Sequence, residues 1–599
     1  MQQTEITSLP ALFLSACADK DFPGWYRREG ASWIHYPADS LRARLLQLTL
    51  ALNKHGLCAG KSLGIIARTS PAWMLADLAA QACHATTVPL FPNIAPEHFL
   101  FQCEDADIEY LVIDDIASLN RIFLPLLKRF KLIVCILTTS RVPEGNGVRW
   151  EDLLYEGEIL AKEEGVQSWF DYQVATIRPD DVFSIIYTSG STGRPKGAEL
   201  SHRNMLAQLA SIGKLFPLSP KKDKALTILP VAHVFERMVL YYYIASKTRL
   251  YFGDDPKNTA QLLHDVRPTI FTVVPRLLER LYEKMTAEAE NAGGFRHWFL
   301  RRAIRSAKIR KPQKRKGPFC RLFDFLVYRR MRAAIGDNFK YIVSGSSALN
   351  KSILRFLHNV GLPIYEGYGL TECAPVVSVN SPEQWKPGSV GRPLAHLKVK
   401  IGEQNEVLVK GASVFHEYHN MPQMNVEAFT EDGYFRTGDQ GAMDNDGYIF
   451  LTGRIKEIFK TSTGKYVSPA PIELELSRHP LIEGALVIAN NRKFVSALIF
   501  LNIDYAKRFL TRAEKRAENP FFGTAAPTRI ESAIENHIRN VNKKLNQWEK
   551  IQKWTLITDP LTVESGLLTP TFKLRRHACA VKYAAVIEKL YAPAKEKRR

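Results

Sequence analysis

Apolar positions along the first half of the chain alternate between two spacings. In LRARLLQLTLALNKHG (Leu41 to Gly56) they recur every three or four residues and stop at a glycine, which predicts a helix. SLGIIART (Ser62 to Thr69) follows as a short apolar run, read as a buried strand. PAWMLADLAAQACHA (Pro71 to Ala85) opens on the proline that suits a helix start, and TTVPLF returns to strand. YLVIDD and KLIVCIL predict two more strands. Further on, LSHRNMLAQLA predicts a helix, and TILPVA, TIFTVVP and YIVSGS (Tyr341 to Ser346) predict strands. Strand, helix and strand at this spacing imply parallel sheets covered by helices, an α/β fold.

The texture changes near residue 385. KVKIGEQNEVLVKG and EDGYFRTGDQGAMDNDGYIFLTGR are short strands joined by turns, and the pairs Asp432-Gly433 and Asp446-Gly447 predict hairpins. After Gly453-Arg454 a smaller α+β unit is expected. It contains a helix (PIELELSRH), a hairpin turning at Asn490-Asn491, a helix (ESAIENHIRNVNKKL) and a loop ending in LLTPTFKLRR. The predicted organisation is therefore a large domain, 1–453, of helix-covered sheets with a small β-rich part, then a C-terminal domain, 454–599.

Composition adds three constraints. A chain of 599 residues is too long for one core, and 46% apolar with 24% charged residues is ordinary for a globular enzyme. No apolar run approaches the roughly 18 residues of a membrane span. LPALFLSACA (Leu9 to Ala18) resembles a short leader, but no Lys or Arg precedes it. The eight cysteines are scattered without a C-x-x-C pair, which suits a reducing, cytoplasmic compartment and no metal site of their own.

The net charge of +20 is concentrated. Phe295 to Arg332 holds fourteen Lys or Arg against one acid, Asp324. Trp298, Phe299, Leu300, Leu322, Phe323, Phe325 and Leu326 lie among those charges. Apolar clusters beside basic ones suit a helix lying on anionic lipid better than a nucleic-acid groove. A solvated insertion packed on its own domain is the plainer alternative. The sequence thus predicts a membrane surface as partner through 295–332, with attachment to the inner face of the membrane, and no nucleic acid.

YTSGSTGRPKG (Tyr187 to Gly197) has the material of a phosphate loop: glycines that turn N–H groups toward an anion, hydroxyls, and Lys196. Its spacing differs from G-x-x-x-x-G-K-[ST], and no hydroxyl follows the lysine to hold magnesium. Ile185 and Ile186 read as a strand end leading into it, with the LSHRNMLAQLA helix just after. In YEGYGLTE (Tyr365 to Glu372), Tyr368 could cover a base, Thr371 reach phosphate and Glu372 hold magnesium, which favours one or two carboxylates plus phosphate oxygens. In YFRTGD, Asp439 could accept from a ribose diol. Arg454 in GRIKEIFKTSTGKYVSP could reach ribose or phosphate, and Lys573 lies in LTPTFKLRR. Each alone is a common turn or a surface charge.

Together, in this order, the five motifs resemble the adenylate-forming superfamily of acyl-CoA synthetases, firefly luciferase and peptide-synthetase adenylation domains. The resemblance implies that a carboxylic acid and ATP form an acyl-adenylate, which then passes its acyl group to a thiol, usually coenzyme A. It implies that Thr188, Ser189, Gly190, Ser191, Thr192, Gly193 and Lys196 bind the β- and γ-phosphates. Glu372, with Thr188, would ligate Mg²⁺, Thr371 would contact the α-phosphate, and Tyr368 would stack on adenine. Gly345 and Ser346 would line the adenine and acyl junction, and Asp439 and Arg454 would hold the ribose. Lys456 would fall at the hinge, Gly464 in the loop serving the thioester step, and Lys573 would be the catalytic lysine of a mobile C-terminal domain.

Three details are similar to long-chain fatty acid–CoA ligases: PVAHVFER (Pro230 to Arg237), the LLTPTFKLRR ending, and the basic insertion near 285–335. The first places His233 near the acyl and phosphate site, with a core histidine as the alternative. Where a peptide-synthetase adenylation domain would carry an Asp for an amino group, this chain has HVFER, whose Glu236 is expected to be neutralised by Arg237. The implied substrates are a long-chain fatty acid, ATP and coenzyme A. A fatty acyl-AMP ligase passing the acyl group to a carrier protein is the alternative. Chain-length preference and oligomeric state stay open.

Overall fold

The computed structural model describes residues 6–592. Outside the description lie position 93 and segments 117–120, 138–141, 189–194, 254–257, 292–293, 311–316, 334, 463–464, 508–509, 511–527, 563–564 and 570–572. The chain divides into two compact units. The first holds residues 1–400, 408–437 and 443–449, and the second 401–407, 438–442 and 450–599.

The first unit is built on two sheets. One has seven strands in the order Gly147–Arg149, Leu132–Cys135, Ile108–Ile113, Ser62–Ile66, Thr86–Pro89, Val182–Thr188 and Lys196–Ser201. All its pairings are parallel except the last. The second sheet has nine strands, with Lys224–Thr227, Ile270–Val273, Tyr341–Ser344 and Ile364–Gly369 parallel at its centre. Every residue of Ser62–Ile66 is buried, as a parallel strand covered on both faces requires.

The helices follow the apolar spacing. Pro71–Ala82 is buried along all 12 of its residues, with the Ser70 hydroxyl accepting from Trp73 N at its start. The leader-like stretch folds as the helix Leu9–Cys17, capped by Ser8. Leu9 and Phe13 are fully buried. Leu9 N donates to Nδ1 of His202, a buried imidazole that desolvation pushes down to about 3.

Two expectations need correction. The TILPVA run is not a strand: the strand is Lys224–Thr227, and the chain turns after Thr227 toward the helix Val234–Ala245. In the second unit the C-terminal segment contains an unpredicted strand, Ile551–Ile557, pairing in parallel with Val495–Leu501. Its alternation is obscured by Gln552 and Lys553, which are exposed side by side. The Ile482–Ile488 and Val495–Leu501 strands form the expected hairpin, with Asn491 at φ 56° in the turn. The helix Thr528–Asn542 presents Ile530, Ile534, Ile538 and Val541 to the core of that unit.

Among the described residues, no helix is long and apolar enough to cross a membrane.

Candidate active site

The opening motif sits at the tip of a hairpin. Val182–Thr188 pairs antiparallel with Lys196–Ser201, placing Thr188 opposite Lys196 and Tyr187 opposite Gly197. A six-residue strand therefore separates the loop from the helix His202–Leu215, where the sequence predicted the helix just after the loop. The helix N-terminus is closed by its own capping box, Ser201 with Asn204. The His202–Leu215 helix start is therefore satisfied by its own side chains and does not point into the hairpin tip as a free dipole end. Ser189, Gly190, Ser191, Thr192 and Gly193 lie outside the described residues. Gly197 has a packing reason: a Cβ there would lie 2.7 Å from Cγ2 of Ile185.

Glu372 belongs to the short turn Thr371–Cys373, which follows the strand Ile364–Gly369 and packs beside Lys196–Ser201. Tyr368 is buried in that strand, while Thr371 and Glu372 are half-buried. Gln208, on the His202–Leu215 helix, fixes the turn by donating to the carbonyls of Cys373 and Val376 at 2.8 Å each.

A segment that the sequence did not mark, 412–419, joins these parts. Asn204 donates to the carbonyls of Ala412 and Val414. Phe415 N donates to Glu372 O at 2.8 Å, and His419 N to Gly197 O at 2.7 Å. Between these anchors, Tyr418 donates its hydroxyl to Oε1 of Glu372 at 2.8 Å. Nζ of Lys196 stands 5.1 Å from the centroid of the same ring. Burial and the Glu372 carboxylate raise the Tyr418 phenol, which keeps it a proton donor. His419 pairs with Glu199 at 2.6 Å, and that carboxylate raises its imidazole.

The donor set here suits magnesium. One half-buried carboxylate, with the adjacent Thr371 hydroxyl, is a hard oxygen set that leaves room for phosphate oxygens and water. Among the described residues, no group of three His, Cys, Asp or Glu side chains could hold a metal alone.

Gly345 and Ser346 follow the strand Tyr341–Ser344, and Ser346 has φ 75°. A Cβ on Gly345 would lie 3.3 Å from Cζ of Phe235. Phe235 is in the first turn of Val234–Ala245, whose N-cap is His233, accepting from Phe235 N through Nδ1 at 3.2 Å. The structure thus brings PVAHVFER and SGSSALN together through Phe235 and Gly345, with His233 half-buried at the helix start two residues before Phe235.

Arg237 does not neutralise Glu236. Neighbouring helix positions point about 100° apart and do not face each other. Arg237 turns to the seven-stranded sheet, donating to Asp77 through Nε at 3.0 Å and to the hydroxyls of Ser184 and Thr87. Glu236 turns to the nine-stranded sheet, accepting from the Thr227 and Thr272 hydroxyls. Burial pushes its carboxyl up to about 7.

The second unit carries the remaining residues. Oδ1 of the buried Asp439 pairs with Nε of Arg454 at 2.9 Å, and Gly438 N donates to Glu406 Oε1 at 2.9 Å. Thr569 N donates to the Lys573 carbonyl, and Lys573 N to the Thr569 hydroxyl. The residue is exposed as a whole, yet its ammonium is pushed down to about 8. Desolvation by surrounding protein comes first and Arg454 second, with Asp439 and Glu457 opposing. Asp439, Arg454 and Lys573 are therefore one electrostatic cluster. Lys456 lies in the turn Ile455–Glu457, and Gly464 is outside the described residues.

A phosphate-type hairpin, a nearby carboxylate and two layered α/β sheets define a nucleotide-dependent enzyme of the adenylate-forming class. The AMP-binding enzyme family model covers residues 29–419, and the AMP-binding enzyme C-terminal domain model covers 456–595. The chain belongs to the AMP-binding enzyme family. It is 32% identical over 585 residues to the long-chain-fatty-acid–CoA ligase FadD15 of Mycobacterium bovis, covering 96% of this chain and 95% of that protein. It is 28% identical to the long-chain-fatty-acid–CoA ligase 5 of Mus musculus, covering 94% and 85%. In fold it is similar to the adenylation domain of a carboxylate reductase from Mycobacterium chelonae, with a TM-score of 0.74 at 19% identity over 99% of this chain and 92% of that one.

Proposed function

We propose that this protein is a long-chain fatty acid–CoA ligase. The observation that carries the reading is the joining of Lys196 and Glu372 through Tyr418 at the head of the Val182–Ser201 hairpin, in a chain of the AMP-binding family. The near full-length relatives that carry the ligase name favour coenzyme A over a carrier protein as acceptor.

In the first half-reaction a fatty acid carboxylate oxygen attacks the α-phosphorus of ATP. The bond to the bridging oxygen breaks, and pyrophosphate leaves with the β- and γ-phosphates. Lys196 and the loop from Thr188 to Gly193 restrain those phosphates, and Thr371 contacts the α-phosphate. Tyr368 covers adenine, Gly345 and Ser346 line the adenine and acyl junction beside His233, and Asp439 and Arg454 hold the ribose. Glu372 and Thr188 would hold magnesium, which when bound neutralises charge on the phosphate oxygens. Lys573 stabilises negative charge growing on the α-phosphate. In the second half-reaction the coenzyme A sulfur attacks the acyl carbon and AMP leaves; Gly464 lies in the loop that serves this step, and Lys456 falls at the hinge. Pyrophosphate and thioester are measured with palmitate and Mg-ATP, with and without coenzyme A. No pyrophosphate would refute the reading, and pyrophosphate without thioester would favour transfer to a carrier protein.

The same protein is proposed to dock on anionic membrane through its basic helices. In the run 318–333, Phe323, Val327 and Tyr328 are buried, while Phe319 is 75% and Phe325 66% exposed beside Leu322 and Leu326. Arg321, Arg329 and Arg330 are exposed around them. Phe299 and Leu300 pack on the core, so they do not belong to this face. An exposed apolar row rimmed by arginines suits the headgroup layer. Phe319→Ser with Phe325→Ser should abolish flotation with vesicles containing anionic lipid while leaving pyrophosphate release with a soluble short-chain acid intact. Unchanged flotation would refute the docking face.

A further inference from the structure

We infer that Tyr418 is a positioning residue that sets the phosphate lysine and the metal carboxylate at one fixed separation. The inference rests on the adenylate-forming reading and goes beyond it, since no motif marked this tyrosine.

The geometry has three parts. First, the segment carrying Tyr418 is pinned at both ends to the two elements it bridges. His419 N holds Gly197, the residue next to Lys196, and Phe415 N holds the carbonyl of Glu372 itself. The strand-like contact continues through Glu199 N to Glu417 O at 3.1 Å and a bridge between Ala198 and Tyr418. Second, the side chain is fixed in place. Tyr418 is 6% exposed, its ring meets Phe415 edge-on at 4.7 Å, and its backbone N–H donates to Asn425 Oδ1 at 2.7 Å. Third, the same side chain touches both functional groups by different means. The hydroxyl engages one oxygen of Glu372, and the ring face lies under the Lys196 ammonium.

A carboxylate with one oxygen held by a neutral donor keeps its charge and loses rotational freedom. A hydrogen bond to a charged group is stronger than a neutral one, so the hydroxyl fixes the direction in which Glu372 offers its second oxygen. A cation over an aromatic face is attracted to it by the ring quadrupole. Tyr418 therefore places Lys196 without drawing its charge away from phosphate, as a carboxylate in the same position would.

The two contacts separate by substitution. Tyr418→Phe keeps the ring and removes the hydroxyl. We expect the magnesium concentration for half-maximal pyrophosphate release to rise about tenfold, with kcat at saturating magnesium near the unmodified protein. Calorimetric binding of ATP at fixed low magnesium should weaken by a similar factor, a readout that needs no turnover. Tyr418→Leu removes the ring too, and should also raise the half-saturating ATP concentration at saturating magnesium. In a Glu372→Gln background, Tyr418→Phe should add nothing, because the group it positions is already gone. A Tyr418→Phe protein with unchanged magnesium dependence in both assays would overturn the inference, as would effects that add to those of Glu372→Gln. A lowered melting temperature with unchanged magnesium dependence would make Tyr418 a packing residue only. Failure of the unmodified protein to release pyrophosphate would refute the functional reading instead, and the calorimetric arm still judges Tyr418.

Discussion

Arg237 and Asp77 form an ion pair in which neither side chain has any exposed surface. Tyr241 also donates to Asp77, at 2.7 Å, and the guanidinium lies over the rings of Trp73 and Phe183. The pair links the Val234–Ala245 helix to Ser184, in the strand that ends at the phosphate loop. Removing one partner from a buried pair strands the other charge, at a cost of about 3–5 kcal/mol. Asp77→Ala should lower unfolding free energy by about that amount in urea titrations. A loss below about 1 kcal/mol, as for an exposed pair, would contradict the burial argument.

Glu236 makes a prediction about pH. Its folded carboxyl is pushed up to about 7 from an ordinary value of 4.5. The folded state therefore binds more protons than the unfolded state between those limits. The contribution of Glu236 is fully present below 4.5 and is lost as pH rises through about 7. The facing groups are the Thr227 and Thr272 hydroxyls and Tyr243. Glu236→Gln keeps an acceptor for one threonine and loses the titration. Its melting temperature relative to the unmodified protein should rise from pH 5 to about pH 7 and level off above that. A difference independent of pH would show that Glu236 does not titrate in this window.

The pair 236 and 237 also shows what the sequence conceals. Adjacency in HVFER suggested mutual neutralisation, but helix geometry sends the two residues to different sheets. The α/β class and most elements were legible because period-two and period-3.6 patterns record which face is buried, as in Ser62–Ile66 and Pro71–Ala82. Lys196–Ser201 was missed because KGAELS lacks the β-branched run of a strand, its pairing being set by the Val182–Thr188 partner. The motifs stood out in the sequence because glycine, threonine, glutamate and lysine recurring in that order are rare by chance, and the structure brings the segments around Lys196 and Glu372 side by side. Tyr418 did not stand out, since its contacts, 46 residues from Glu372, arise only from tertiary pairing. The sequence offered one signal, an aromatic between two histidines in HEYHN, and no spacing rule reads it.

Gly345 tests the contact between the SGSSALN loop and PVAHVFER. A Cβ would stand 3.3 Å from the Phe235 ring, so the ring must yield by a few tenths of an ångström. Phe235 occupies the first turn above His233, and its displacement would carry that cap with it. Overpacking of this kind typically costs about 1–3 kcal/mol. Gly345→Ala should raise the half-saturating ATP or fatty acid concentration about tenfold, an effect at the lower end of that range. Phe235→Leu in the same protein should restore much of the loss by returning the space. No restoration would mean that Gly345 acts through backbone freedom and not through this contact.

Lys573 sets the last expectation, on the alkaline side. Its ammonium is pushed down to about 8 from 10.5 by desolvation and by Arg454. If its charge stabilises the α-phosphate, the rate of adenylation falls as pH rises through about 8, because the cationic fraction falls there. Lys573→Ala should slow pyrophosphate release at pH 7 by about a hundredfold and lose the alkaline limb. Lys573→Arg, whose guanidinium stays charged, should retain part of the rate with a limb displaced upward. Thioester formation from supplied acyl-adenylate and coenzyme A uses no attack at the α-phosphate, so it should survive Lys573→Ala. An alkaline limb near 8 that persists in Lys573→Ala would assign the titration to another group and remove Lys573 from the chemical step.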